Sequence, residues 1–176
     1  MKCILTPTPF CCSSRLNVSR SQSSLLRSRR IKYRCHDKSQ DKIRLSSYQI
    51  EGDLMEYFFN AGYIVTNSPT VIANSDEDDK KEYTKSIKSA EEGECDYFVT
   101  LLTDYNVANS TGPEQSLLSN IHEISWRVID IATGKEIASG VKKTGVVSPT
   151  QDNEDGISSF AFEIAAEISA SITSKR

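Results

Sequence analysis

The chain has 176 residues, ordinary apolar and charged fractions, and a formal net charge of −3. That is enough for one domain with a proper core plus a tail. No apolar run approaches the ~20 residues that cross a bilayer, and the two histidines and five cysteines leave little for metal or nucleophile chemistry. The charge is unevenly placed: residues 1–35 hold eight of the 21 basic residues and none of the 24 acidic ones, so the rest carries −11.

Residues 1–35 are Ser- and Arg-rich, lack acids and show no sustained periodicity. The start, with Pro7 and Pro9 breaking a short apolar run before Cys11 and Cys12, makes a poor secretory or lipoprotein signal. The composition fits an organellar transit peptide, a disordered basic arm, or an upstream region belonging to a wrongly chosen start. Arg27 to Arg34 could attract phosphate, but the acidic body repels the same ligand, so no nucleic acid is expected. Residues 36–45 read as a linker and 46–176 as a single α/β domain.

The first helix is expected from Ser46, with Gln49 completing a capping box. Ile50, Leu54, Tyr57, Phe58 and Ala61 recur at helical spacing. Glu51 and Asp53 are placed near its positive end, and Gly62 as its left-handed cap. Tyr63–Thr66 reads as a short strand stopped by Asn67-Ser-Pro69. The acidic stretch 74–79 lacks the glycine and closing glutamate of a calcium loop and reads as a solvated loop and helix start. Residues 80–92 read as a second helix closed by Gly93. Residues 95–105 form a strand apolar on both faces, and 106–120 a polar loop.

Residues 123–131 and 135–147 read as a hairpin about a turn at 132–134, with Ile124, Trp126 and Val128 on one face. Residues 152–156 supply caps for a last helix whose stripe is Ile157, Phe160, Ala161, Ile164, Ala165, Ile168 and Ile172. The sum is an α/β (α+β) sandwich: a mixed sheet of three or four strands centred on the hairpin, helices packed on it, and a crossover linking the Tyr63 and Tyr97 strands.

Chemistry has few places to live. A Ser/His/Asp or Cys/His site would need His122, which begins a strand. Cys35-His36 has no partner pair for a metal. Thr133-Gly-Lys135 lacks the first glycine of a phosphate loop, Ile129 standing there, and the hydroxyl residue after the lysine. Cys95 reads as a small hydrophobe. Asp96, Asp104 and Asp130 lie at strand ends, where solvated caps are the usual role. Asn17-Val-Ser19 and Asn109-Ser-Thr111 fit the glycosylation acceptor pattern. No catalytic, cofactor-binding or metal residues are therefore expected, and no cofactor.

The residues Leu54-Met-Glu-Tyr-Phe-Phe-Asn-Ala-Gly-Tyr-Ile-Val65, Glu92-Gly-Glu-Cys-Asp-Tyr-Phe-Val99 and Ser125–Ser139 carry a resemblance. The body resembles a group of bacterial envelope proteins: LpoB, CsgG and the amino-terminal domain of TolB. The match covers about 46–172, without a lipobox and without a clear strand before the first helix. The resemblance implies a non-enzymatic, envelope-associated protein acting through protein–protein contact, its partner unidentified. An open sheet edge would also allow a homodimer. The alternative is a small binding protein imported into an organelle after loss of residues 1–35. A third is a small enzyme using strand-end carboxylates.

Overall fold

The computed structural model describes residues 30–37, 44–72, 76–106 and 115–174. The elements are β1 (Arg30–Asp37), α1 (Leu45–Asn60), β2 (Ile64–Ile72), α2 (Asp76–Glu92), β3 (Tyr97–Tyr105), β4 (Ile121–Asp130), β5 (Lys135–Lys143) and α3 (Glu154–Ser174), with a 3-10 turn, Leu118–Asn120, before β4. The sheet runs β2-β1-β3-β4-β5. β1 is parallel to both β2 and β3, and β3, β4 and β5 are successively antiparallel. This is the expected α+β class with a mixed sheet, but it has five strands, and the hairpin lies to one side rather than at the centre.

The difference is β1. Residues 30–37 fall where the sequence suggests the end of the basic tail and the start of a linker, yet they pair on both sides, Ile31 with Val65 and with Tyr97. The missing strand before the first helix is thus present. β2 and β3 consequently flank β1, and α2 connects them across it. β2 also continues through Pro69 to Ile72. It is an edge strand, where a missing N–H is tolerated, and its register with β1 shifts between Arg34 and His36 as Ser68 gives way to Val71. Pro69 and Thr70 fall at that irregularity.

The capping box expected at Ser46 does not form. α1 begins at Leu45, and its N-cap residue Arg44 makes no side-chain cap hydrogen bond; the first turn holds no acidic residue. The C-terminus is as expected. Gly62 has φ +85°, Tyr63 N–H donates to Phe58 O and Gly62 N–H to Phe59 O, both at 3.0 Å. These are the two bonds of a Schellman motif, and the Phe58 and Tyr63 rings meet edge-on at 5.8 Å. α2 starts at Asp76 rather than residue 80, so the helix start expected within the acidic stretch supplies its whole first turn. It ends in the same motif, with Cys95 N–H on Ala90 O at 2.9 Å, but the left-handed residue is Glu94 (φ 51°) and not Gly93.

α1 and α3 cover one face of the sheet. Ile50, Leu54 and Phe58 meet Val99, Leu101, Ile124, Trp126 and Val128, and every residue of the expected α3 stripe is buried there. Asn153 Oδ1 accepts the Gly156 N–H at 3.0 Å, and Glu154 and Asp155 occupy the first turn, as helix starts favour. A smaller cluster on the other face joins Ala90, Tyr83 and Ile87 of α2 to Cys95, Phe98 and Ile129. In the hairpin, Asp130 Oδ1 accepts both Thr133 N–H and its hydroxyl at 2.8 Å. Gly140 faces Trp126, and a Cβ there would lie 2.6 Å from the indole. Only a glycine lets β5 sit against that ring.

Candidate interaction surfaces

Alternation along β3, β4 and β5 sends Val99, Leu101, Trp126 and Val128 to the helices and turns the intervening side chains the other way. α2 covers Phe98 and Ile129 on that second face but leaves the hairpin side of it open. Thr100, Arg127 and Ser139 form one cross-strand row there, and Leu102, Ser125 and Val141 the next. Val141 is 59% exposed. The ion pairs on this shelf, Arg127–Glu136 at 3.9 Å and Lys143–Glu123 at 3.8 Å, are solvent-facing and of the kind that contributes little.

α1 is apolar on two sides. Besides its buried stripe it exposes Leu45 (50%), Tyr48 (51%), Met55 (37%) and Phe59 (71%). With Gly52 these recur at steps of three and four residues, which places all five within one narrow sector of the helix. Gly52 is helical, and a Cβ there would meet nothing within 4 Å. A mid-helix glycine costs about 1 kcal/mol against alanine, and nothing among the described residues requires it. From Leu45 to Ile64 the sequence has Glu51, Asp53 and Glu56 but no Lys or Arg. Ile64, just beyond the helix, is 46% exposed.

Polar side chains fix α1 in place. The Tyr105 hydroxyl lies 3.0 Å from Ser46 Oγ and 2.7 Å from Ser47 Oγ, all buried, with the Arg44 guanidinium 4.7 Å over the Tyr105 ring. Buried hydroxyls need such partners, so this cluster pins the start of α1 to the end of β3. Gln49 Nε2 donates to Glu154 O at 2.7 Å and Ser158 Oγ at 3.0 Å. Burial pushes the Asp53 carboxyl up from its ordinary value, opposed by a hydrogen bond from Ser158 and reinforced by Glu56. On the other face burial raises the Tyr83 phenol, opposed by Arg127 and reinforced by Glu136. Lys142 is held above its usual value by hydrogen bonds to Glu167 and Glu163, at 2.8 and 2.9 Å, tying β5 to α3.

The residues that sequence reasoning weighed for chemistry do not converge. Asp96 and Asp130 line one recess of about 410 Å³ with Glu91 and Glu94. Asp104 stands at the other end of β3, eight residues from Asp96, or about 26 Å of strand. Asp130 is engaged in its turn. His122 is exposed at the start of β4, its carbonyl accepting from Thr144. Cys95 is a buried free thiol. A second recess of about 350 Å³ lies between β5 and the start of α3, floored by Leu118 and Phe160 and rimmed by Lys143, Asp155 and Glu163. Among the described residues no group of His, Cys, Asp and Glu could hold a metal ion, and no helix is long and apolar enough to cross a membrane. Cys3, Cys11, Cys12 and both glycosylation patterns lie outside the described residues. The outer stripe of α1 was missed, although Leu45, Tyr48, Met55 and Phe59 show their spacing plainly; the buried stripe beside it accounts for the helix and masks the second signal.

The molecule is therefore an α+β domain with a five-stranded mixed sheet, helices on both faces and, among the described residues, two uncovered surfaces. It belongs to the family described as "Uncharacterised protein", whose model matches residues 31–174, from the second residue of β1 to the last residue of α3. No curated protein sequence matches it. Among solved structures it is similar to the PelC dodecamer from Paraburkholderia phytofirmans, at 12% identity and TM-score 0.43 over 82% of this chain and 86% of that one. It is similar to TolB from Acinetobacter baumannii, at 12% and 0.44 over 84% of this chain and 29% of TolB. It is also similar to the LpoB C-terminal domain from Salmonella enterica, at 12% and 0.40 over 68% and 89%. These are likenesses of fold alone, and at that level the expected resemblance to LpoB and TolB is found.

Proposed function

We propose that the chain is a non-enzymatic protein that works by contact with another protein, in the cell envelope. The observation that carries the contact reading is apolar exposure concentrated on ordered elements: Tyr48 and Phe59 on α1 and Val141 on the open sheet face. Such surfaces on an otherwise well-packed domain mark interaction sites more often than accidents. Envelope residence draws on the resemblance carried by the helix–Gly–strand and hairpin residues. The test is a photo-crosslinker placed singly at Phe59, at Val141 and, as a control, at Glu163 on α3, in the full chain in its native host. One saturable protein adduct from Phe59 or Val141, absent at Glu163 and found in the envelope fraction, is the expected result. No adduct at either surface overturns the contact reading.

A second reading, import into an organelle, is favoured by the acid-free composition of residues 1–29. A mature start near residue 36 would delete most of β1, which pairs on both sides, so on this reading the cut falls at or before Arg30. An amino-terminal sequence of the mature protein beginning there, in an organelle fraction, would establish this reading and exclude the envelope.

A further inference from the structure

The outer stripe of α1 breaks a local rule without gain among the described residues. Leu45, Tyr48, Met55 and Phe59 are exposed, and Gly52 weakens the helix at the middle of the stripe although a Cβ would have open space. A sequence that breaks a local preference with no internal compensation does so at a functional site. A side-chain-free position flanked by apolar ones lets another backbone approach closely. The spacing of three and four residues spans two heptads, which is the seam one helix offers another.

The charges choose the partner. Glu56 is exposed beside the stripe, and no basic residue interrupts the segment 45–64. A second copy of the chain would bring the same base-free segment and leave Glu56 without an opposite charge. The strip is about 21 Å long and one helix wide, the footprint of a single helical segment. An anionic membrane would be repelled.

We propose that the Leu45–Phe59 face of α1 is the docking site for an amphipathic helical segment of another protein, apolar on the facing side and flanked by Lys or Arg. Gly52 is the point of closest approach, and Glu56 supplies the charge that selects a basic over an acidic helix. The inference rests on the contact reading above, and the two fail separately: an adduct from Val141 with none from Phe59 keeps that reading and overturns this one.

Its direct test uses the full chain and two labelled synthetic helices about three heptads long, Leu at a and d, with Lys at e and g in one and Glu in the other. Fluorescence anisotropy should show binding of the lysine-flanked helix and at least tenfold weaker binding of its acidic counterpart. Phe59→Asp and Gly52→Leu should each weaken binding at least tenfold. Gly52→Leu should do so with an unchanged or higher unfolding midpoint, which separates lost contact from lost fold. Glu56→Lys should narrow the preference between the two helices. Equal binding by both surface variants overturns the proposal. So does binding confined to anionic vesicles, or a concentration-dependent dimer that Phe59→Asp dissolves, which would give the stripe to a second copy.

Discussion

The two faces of the sheet are built to different depths. On the α1–α3 side eighteen buried residues form one continuous cluster drawn from both helices and from β3 and β4. On the α2 side four buried residues, Ala90, Cys95, Phe98 and Ile129, are flanked by half-buried Tyr83, Ile87 and Ile131. The first face holds most of the buried apolar area among the described residues, and with it most of the stabilisation, since that scales with area removed from water. The second face is left with an open shelf over the hairpin. A domain arranged this way can lend a surface to a partner without exposing its core.

The sharpest way to break that comparison is to truncate one apolar helix residue on each side. Phe58 is fully buried, closes the Schellman motif and meets Tyr57 and Tyr63 edge-on. Phe58→Ala should cost about 3–5 kcal/mol in urea unfolding. Ile87, half-buried against the α2-side cluster, should cost about 1 kcal/mol as Ile87→Ala, because its surroundings can relax into solvent. Equal losses would mean that the α2 face is as firmly built as the other.

Next in size is Gly140→Ala. Its Cβ would lie 2.6 Å from Trp126, and overpacking of this order costs about 1–3 kcal/mol. Because Trp126 is the only tryptophan, its fluorescence reports the displacement directly; an unshifted spectrum with full stability would show that β5 yields easily. A gain is expected at the end of α2. Glu94 holds a left-handed conformation that a Cβ disfavours by about 1–2 kcal/mol, so Glu94→Gly should recover part of that, about 0.5–1 kcal/mol after the glycine's greater unfolded-state freedom. A loss of stability instead would mean that the Glu94 side chain has a role of its own.

The helices and the hairpin were legible because their signals are local and redundant: the stripe from Ile157 to Ile172, the Gly62 cap, and the alternation about Trp126. β1 was hidden by its charges. A strand paired on both sides is expected as an apolar run, and Arg30-Ile-Lys-Tyr-Arg-Cys-His-Asp37 looks instead like the end of a basic tail. β2 was cut short at Pro69 because only the topology shows that it is an edge. The capping box at Ser46 failed for a tertiary reason: Tyr105, fifty-eight positions from Ser47, claims the hydroxyls. Spacing along the chain carries no trace of such a partner. The surfaces were legible only as an expectation that an exposed face or edge would bind. Which face stays uncovered depends on where α2 lands.

Asp53 gives the smallest effect and tests the seam between α1 and α3. Its folded pKa is raised by burial above the ordinary value of 3.8. The folded state therefore favours the protonated carboxyl. That contribution to stability is fully present below about pH 3.8 and is lost as the pH rises through the raised folded value. Asp53→Asn removes the titration while keeping a group able to bond to Ser158. Relative to the parent its unfolding midpoint should rise between acidic and neutral pH, with no further change above. A difference that stays flat across that range would mean that Asp53 is solvated at the seam, and that α1 and α3 are held by Gln49 and the apolar layer beneath it.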